Sequence, residues 1–261
     1  MNHLSAVRLI GTCVSGALAG GCAPAPSPAP APAQSQPAGS SAGPAGLNTL
    51  TPEERAAGWR LLFDGHSTVG WRGWKMDTIP SGWGVREGAL TRVRPAADII
   101  TTEKFKNFEL TLEWNISPGG NSGIFYRASE DPDDNAIYWS APEYQILDDA
   151  RHPDGQSRLT AAGADYGLYP SPAGVVKPAG EWNTTRIFVK GNHVEHWLNG
   201  VKVVEYELGS PDWEARVKAS KFADHPRYGR NAEGYIGLQE HEFRVAYRDR
   251  KSTRLNSSHR T

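Results

Sequence analysis

The chain has 261 residues, of which 38% are apolar and 22% are charged, and its formal net charge is -1. This composition is typical of a folded chain, and no apolar run approaches the roughly 20 residues that a membrane-spanning helix needs. The net charge is close to zero, and the aromatic part of the chain contains no cluster of Lys and Arg. We therefore predict no nucleic-acid partner, because binding to nucleic acid depends on neutralising phosphates.

The N-terminal residues are typical of an export signal. Residues 9–19 form a short apolar stretch after Arg8, and no charged residue occurs between Arg8 and Glu53. Small residues precede Cys22, as in the lipobox of bacterial lipoproteins, where the cysteine is acylated. A plain secretory leader cleaved nearby is the alternative. We predict a leader over residues 1–22, a lipid anchor at Cys22, and a periplasmic or outer-envelope location.

The next two segments are predicted to be a tether and a folded domain. Residues 23–46 contain only Ala, Pro, Ser, Gly and Gln, so they cannot form a core and are predicted to be a tether. Every aromatic residue lies within residues 47–247, which we assign to the folded domain. The two cysteines of the chain, Cys13 and Cys22, both precede it. The domain therefore has no disulfide, thiol nucleophile or thiolate metal site.

The C-terminal residues 248–261 differ from the domain in composition. They carry five basic residues, one acidic residue and a single apolar side chain, Leu255. This pattern resembles translated linker sequence and does not fit a core strand. We predict a non-native tail that is disordered or poorly packed.

Inside the domain, apolar residues alternate with polar ones, which is the periodicity of strands. The alternation covers Trp83–Val93, Phe108–Trp114 and Tyr235–Val245. The pairs Gly191-Asn192 and Asn199-Gly200 predict two consecutive hairpins with two-residue turns. Pairing across these turns predicts a core face of Ile187, Val189, Val194, His196, Leu198, Val201 and Val203. The predicted opposite face carries Arg186, Phe188, Lys190, His193, Glu195, Trp197, Lys202, Val204 and Tyr206.

One helix is predicted from Pro211 to about Phe222, with Trp213 and Val217 facing inward. Many short strands together with a single late helix indicate an all-β sandwich.

Several familiar chemistries are excluded by their missing motifs. The sequence has no G-x-S-x-G elbow, P-loop, G-x-G-x-x-G or H-E-x-x-H. The acidic run Asp131–Asn135 lacks the later positions of an EF-hand and is predicted to be a solvated loop. His193 and His196 are three residues apart on one strand and face opposite sides, so they cannot share a metal. His196, among Val and Leu, is predicted to be a core residue.

Two strands carry polar residues at every second position. In the first, Glu143 and Gln145 share a face about 7 Å apart. In the second, Gly237, Gln239 and His241 share a face. These residues either bind a sugar and transfer protons or form the solvated side of two strands, and spacing alone does not choose between the two.

Seven ordered segments, which together span nearly all of Leu50 to Tyr247, are similar to the 3-keto-disaccharide hydrolase domain family. They are LLFDGHSTVGW from Leu61, FELTLEWNISPGGNSGIFYR from Phe108, PEYQILDDA from Pro142, YGLY from Tyr166, GEWNTTRIFVKGNHVEHWLNG from Gly180, LGSPDWEARVKASKF from Leu208 and YIGLQEH from Tyr235. The resemblance implies a concanavalin-like jelly roll in an exported bacterial protein. Two features depart from the family pattern. Gln239-Glu240-His241-Glu242 stands where the family has Q-D-H-G, and the tail replaces the family's closing strand.

The resemblance implies cleavage of 3-keto-glycosides. A ketone at C3 acidifies the hydrogen on C2, so a base can remove this proton and expel the C1 substituent, after which water adds. On this basis Glu143 and His241 are the expected acid and base. Arg127, Gln145, Asp148 and Gln239 are expected to bind substrate, with Arg127 or Gln145 holding the enolate oxygen.

We predict no metal ligand and no other cofactor, and a divalent cation remains an open alternative. Hydrolysis by two carboxylates is less attractive, because Asp148 nominally faces away from Glu143. Two other functions fit the same fold: a non-catalytic carbohydrate-binding module, and an envelope protein that docks a partner.

Overall fold

The computed structural model describes residues 46–254, which form two antiparallel sheets packed face to face. The eight-stranded sheet contains β1 (Trp59–Leu61), β3 (Trp83–Arg86), β4 (Ala89–Arg92), β6 (Phe108–Ile116), β9 (Asn183–Lys190), β10 (His193–Leu198), β11 (Val201–Glu207) and β13 (Val245–Arg254). The five-stranded sheet contains β2 (Trp71–Gly73), β5 (Ile99–Phe105), β7 (Asn121–Ala128), β8 (Glu143–Leu147) and β12 (Gly234–Leu238).

Strands that are distant in sequence pair in both sheets. The larger sheet has the order β11-β10-β9-β6-β13-β4-β3, with β1 on β13, and the smaller has the order β2-β5-β12-β7-β8. Their facing sides bury the main core, which includes Trp114, Tyr144 and Ile236. The predicted all-β jelly-roll sandwich is confirmed.

Helices are short and lie outside the sheets. α1 (Pro52–Ala56) begins at a capping box on Thr51 and was not predicted. α2 (Pro211–Lys218) begins at Ser210, whose side chain accepts from the Trp213 amide. It buries Trp213 and Val217 as predicted. Two 3-10 turns cover Ile137–Trp139 and Pro153–Gln156.

The two predicted hairpins are confirmed, but a bulge shifts the second one. His196 pairs with Val204 and Trp197 with Lys202, so Val203 is the extra residue. Val204 and Tyr206 are therefore buried in the core, whereas Val201 is 47% exposed. The sequence had assigned Val204 and Tyr206 to the opposite face, because a regular two-residue hairpin contains no bulge. Val201 lies on the turn side of the bulge and pairs with Leu198 as predicted, but it was expected in the core and is exposed.

Two other predicted strands are interrupted. Residues 83–93 form the hairpin of β3 and β4, because Glu87 and Gly88 take positive φ angles of 50° and 71° and turn the chain. The stretch Tyr235–Val245 contains most of β12, a loop and the first residue of β13. Alternation alone did not show these turns.

The prediction that residues 248–261 are disordered or poorly packed is wrong for residues 248–254, which belong to β13. β13 pairs with β6 on one side and β1 on the other through Thr253. The charged side chains of Arg248 and Lys251 fit because both have a carboxylate partner. Arg248 donates to Glu113 at 2.6 Å, and Lys251 lies 3.0 Å from Glu54. Residues 255–261 lie outside the described residues.

His196 is confirmed as a core residue. Its Nδ1 donates to the Gly163 carbonyl at 3.1 Å, and its Nε2 accepts from the Tyr126 hydroxyl at 2.9 Å. Burial lowers the pKa of His196 to about 4, so the ring is neutral. His193 faces the other side of the sheet and contacts Glu207, as the spacing predicts.

The loop Asp131–Asn135 is largely exposed, but Asp134 is buried and bonded to Arg227 at 2.7 Å. No helix within residues 46–254 is long and apolar enough to cross a membrane. The predicted leader, Cys22 and all but the last residue of the predicted tether lie outside the described residues.

Candidate active site on the outer face of the five-stranded sheet

The register of three neighbouring strands determines which side chains share the outer face. Phe125 pairs with Gly237 on one side and Glu143 on the other, and Gly123 pairs with Gln145. The alternate residues of β8 and β12, Tyr144, Ile146, Ile236 and Leu238, lie in the main core. Glu143, Gln145 and Gln239 are therefore on the outer side, as the period-two pattern predicts.

Gly123 makes room for the carboxyl group of Glu143. A Cβ atom on Gly123 would clash with Glu143 Oε1, so the Glu143 side chain lies across β7 where the glycine leaves a gap. Gly237, one strand further, is also closely covered, because a Cβ there would lie 2.8 Å from Ile137 Cδ1. The two glycines thus form a floor without side chains beneath this part of the face.

Glu143 is 4% exposed, and this burial is the main reason why its pKa is raised to about 8. The Lys221 ammonium opposes the rise, while Asp98, Asp165 and Asp154 add to it. At neutral pH the carboxyl group is therefore mostly protonated. A protonated carboxyl group on this face is suited to act as a general acid.

Gln145 orients the Glu143 carboxyl group. With its amide nitrogen turned toward β7, Gln145 donates to Glu143 Oε1 at 3.1 Å and to the Ser122 carbonyl at 3.2 Å. The backbone of Glu143 is held as well, because its carbonyl accepts from the Tyr166 amide at 3.0 Å. The position of the acid is thus constrained at both its main chain and its side chain.

Asp98 is a second carboxyl group on this face, and the sequence did not single it out. It lies just before β5 and accepts a hydrogen bond from the Glu240 amide at 2.8 Å. It is two residues before Ile100, whose side chain faces outward, so by alternation Asp98 faces outward as well. Partial burial and the neighbouring Glu240 raise its pKa to about 7, against the effect of the amide bond. It lies three strands from Gln145, about 14 Å between Cα atoms at the usual strand spacing.

A group of residues from three connecting segments borders Glu143. The Tyr166 hydroxyl donates to Asp154 Oδ2 at 3.1 Å. Lys221, which follows α2, holds its ammonium 4.2 Å from the centre of the Tyr166 ring and 5.4 Å from that of Tyr138. Sequence reasoning missed all four residues, because they come from loops without periodicity.

Two predicted binding residues are not brought to Glu143. Arg127 has a φ of 57° and donates to the Gly191 carbonyl in the β9–β10 turn of the other sheet. Asp148 accepts from the Gly119 amide at 2.8 Å and the Ala150 amide at 3.2 Å, so its carboxylate holds a turn. Both side chains are buried in these roles.

Gln239 and His241 both belong to the segment that follows β12. The backbone N–H of Gln239 donates to the Gly123 carbonyl. The side-chain oxygen of Gln239 is buried without a hydrogen-bond partner among residues 46–254. His241 is exposed and forms no hydrogen bond or salt bridge with Glu143 in the described part of the chain. Its neighbour Phe243 packs edge-on against His152, at 6.2 Å between ring centroids.

Potential metal ligands occur on the other sheet. Ligand atoms of His193, Glu195 and Glu205 lie within 4.8 Å of one another. Lys202 Nζ is already 2.6 Å from Glu205 Oε2 and 3.5 Å from Glu195 Oε1. The acidic charge of this group is therefore balanced by a side chain of the protein, and the group lies on the opposite sheet from Glu143.

Comparison with known proteins places these features in a family. The sequence model of the 3-keto-alpha-glucoside-1,2-lyase-like domain matches residues 58–251. A 3-keto-disaccharide hydrolase from Bacteroides thetaiotaomicron is 37% identical over 235 residues, which are 78% of this chain and 81% of that protein.

Solved structures with the same fold come from Parabacteroides distasonis. The crystal structure of a protein proposed to be a glycosyl hydrolase superposes with a TM-score of 0.76 at 33% identity, covering 81% of this chain and all of that one. A second such structure has a TM-score of 0.60 at 28% identity, covering 76% of this chain and 99% of the other.

Proposed function

The chain belongs to the 3-keto-alpha-glucoside-1,2-lyase-like family, and on that premise we propose that it is an enzyme that cleaves glycosides or disaccharides oxidised to a ketone at C3. One observation carries the proposal beyond the family name. Glu143 and Asp98, two carboxyl groups with pKa values of about 8 and about 7, face outward on the same sheet. Titratable groups whose pKa values are shifted toward neutrality are typical of sites of proton transfer.

The chemistry requires one base and one acid. The base removes the proton from C2, the electron pair of that bond forms a C2=C3 double bond, and the C3 oxygen becomes an enolate. When the carbonyl reforms, the C1–O bond breaks and the acid protonates the departing oxygen. Water added later to the unsaturated sugar makes the net reaction a hydrolysis. Neither a nucleophilic side chain nor a nucleotide is needed.

The geometry favours Glu143 as the acid, because it is mostly protonated at neutral pH and is oriented by Gln145. For the base there are two candidates. Asp98 is supported by its position on the sheet and its pKa near 7, and His241 by the family resemblance. Gln239, whose side-chain oxygen has no partner, is proposed to accept from a sugar hydroxyl.

Direct hydrolysis by a pair formed of Glu143 and Asp148 is disfavoured. Asp148 is committed to two backbone amides and to a turn, as described above. A second carboxylate of that mechanism must instead be free to reach the anomeric carbon or a water molecule.

The test is aglycone release from a 3-keto-glucoside and from the same unoxidised glucoside, each with and without a chelator. We expect release only from the oxidised substrate. The assay also includes Glu143→Gln and, as a matched control, exposed Glu181→Gln. Binding of both sugars without release would identify a carbohydrate-binding module, and release from the unoxidised glucoside would contradict the route through a ketone.

We further propose that the enzyme is exported and held at the envelope by a lipid on Cys22, with residues 23–46 as a spacer. The proposal is supported by the lipobox-like sequence and the composition of the spacer. In the native host, Cys22→Ser should move the enzyme from the membrane fraction to the soluble fraction with unchanged activity. A wild-type protein that is already soluble would contradict the anchor.

A further inference from the structure

The proposed reaction places negative charge on the C3 oxygen, and a nearby cation is the usual way to stabilise it. Sequence reasoning offered Arg127 for this role. In the structure, the guanidinium of Arg127 is buried and donates to Gly191 in the turn of the other sheet. The charge on the C3 oxygen therefore needs a different partner.

Lys221 lies where such a cation is needed. It belongs to the turn after α2 and is anchored by its buried neighbour Phe222. Its ammonium lies 4.2 Å from the centre of the Tyr166 ring, 5.2 Å from that of Phe222 and 5.4 Å from that of Tyr138. Aromatic rings attract a cation through their faces, but they accept none of its three hydrogen bonds as an oxygen would.

Lys221 differs from the two arginines around α2, Arg216 and Arg230, in having no carboxylate within salt-bridge distance in the described part of the chain. Arg216 bonds to Asp212 at 2.8 Å, and Arg230 forms a double hydrogen bond with Glu214. Lys221 forms no hydrogen bond or salt bridge with any residue between 46 and 254. Its side chain is exposed, so a bound molecule can reach the ammonium.

The ammonium is also close enough to Glu143 to interact electrostatically with its carboxyl group. Tyr166 links the two residues, because its amide donates to Glu143 at 3.0 Å while its ring lies under Lys221. The cation and the acid therefore stand on the same side of the face. C1 and C3 of a sugar ring are separated by one carbon, so the acid and the cation could address the two oxygens of one ring.

We propose that Lys221 is a catalytic residue whose ammonium donates to the C3 ketone oxygen of the sugar and stabilises the enolate formed when the C2 proton is removed. The inference rests on the function proposed above and assigns the cation of that reaction. Lys221 keeps its proton throughout. The base takes the C2 proton, and Glu143 gives its own proton to the oxygen that leaves C1.

Exchange of the C2 hydrogen tests this step by itself. The probe is 1,5-anhydro-3-keto-glucitol, which has the ketone but no leaving group at C1, so it can form the enolate without cleavage. Incubation in D2O and NMR of the C2 hydrogen report the rate of exchange. We expect wild-type enzyme to exchange the hydrogen and Lys221→Met to exchange it at least about 100-fold more slowly.

Two further variants separate charge from folding. Lys221→Arg keeps the positive charge and should retain exchange within about 10-fold of wild type. Lys218→Met removes an exposed lysine from the same region and should match wild type. For Lys221→Met, kcat for aglycone release should fall while KM changes less, with an unchanged melting temperature.

Wild-type exchange rates in Lys221→Met would overturn the assignment of Lys221 even if aglycone release by wild type confirms the proposed function. A Lys221→Met protein that is slow only because it is unfolded is recognised by its melting curve. In that case Lys221→Arg decides, because a folded arginine variant without exchange contradicts a role of the charge. Absence of both exchange and release in wild type would overturn the proposed function and this inference together.

Discussion

Replacing Glu143 by Gln should lower activity and raise stability at alkaline pH. The amide keeps the size of the side chain but cannot ionise or donate a proton as an acid. We expect turnover of a 3-keto-glucoside to fall at least about 100-fold. The stability effect follows from the pKa of Glu143, which is about 8 in the folded protein against an ordinary value of 4.5.

The direction of that effect depends on which state binds the proton more tightly. Below pH 4.5 the carboxyl group is protonated in both the folded and the unfolded chain, so it contributes no pH dependence. Between pH 4.5 and about 8 the unfolded chain has released the proton while the folded chain still holds it. The free energy of unfolding therefore falls through this window and levels off above pH 8. Glu143→Gln removes this loss.

The pKa difference sets an upper limit of about 5 kcal/mol on the gain at pH 9. A quarter of this limit, about 1 kcal/mol, would raise the melting temperature by about 2–4 °C in a domain of this size. The assay is thermal unfolding at pH 5 and pH 9 of wild type, Glu143→Gln and the exposed control Glu181→Gln. An equal melting-temperature difference at both pH values, or wild-type turnover in Glu143→Gln, would refute the reasoning.

Three other outcomes follow from the same geometry. Gly123→Ala should lower the free energy of unfolding by about 1–3 kcal/mol and turnover at least about 10-fold, because its Cβ meets the Glu143 carboxyl group, whereas Gly84→Ala, whose Cβ would meet nothing nearer than Arg86 Nη1 at 4.0 Å, should change neither. The pH profile of kcat/KM should be a narrow bell, with an acidic limb near pH 7 from Asp98 and an alkaline limb near pH 8 from Glu143. Asp98→Asn removes the base responsible for the acidic limb and should abolish activity; an unchanged profile in that variant would assign the base elsewhere. Truncation after Tyr247 removes the pairing of β13 with β1, so the melting temperature should fall by at least about 6 °C, and an unaffected truncated domain would show that this half of β13 is dispensable.

Much of the architecture was determined locally by the sequence. Period-two alternation correctly placed Glu143 and Gln145 on one side of β8, because successive side chains of a strand must point to opposite faces. The turn pairs at 191–192 and 199–200 correctly delimited β9, β10 and β11, because Gly and Asn adopt the positive φ angles that tight turns require. The inward side of α2 also followed from its own spacing.

Tertiary structure decided which of these elements meet. The bulge at Val203 changed the faces of β11, and oppositely charged partners allowed Lys251 into a strand that its polarity had seemed to exclude. The loop after α2 brings Lys221 toward Glu143, and the pairing of β5, β12, β7 and β8 places Asp98 on the same face. Both arrangements bring together residues that are far apart in the sequence. Local periodicity states which way a side chain points, whereas its neighbours, and therefore its pKa and its chemistry, depend on contacts that form only when distant segments pack.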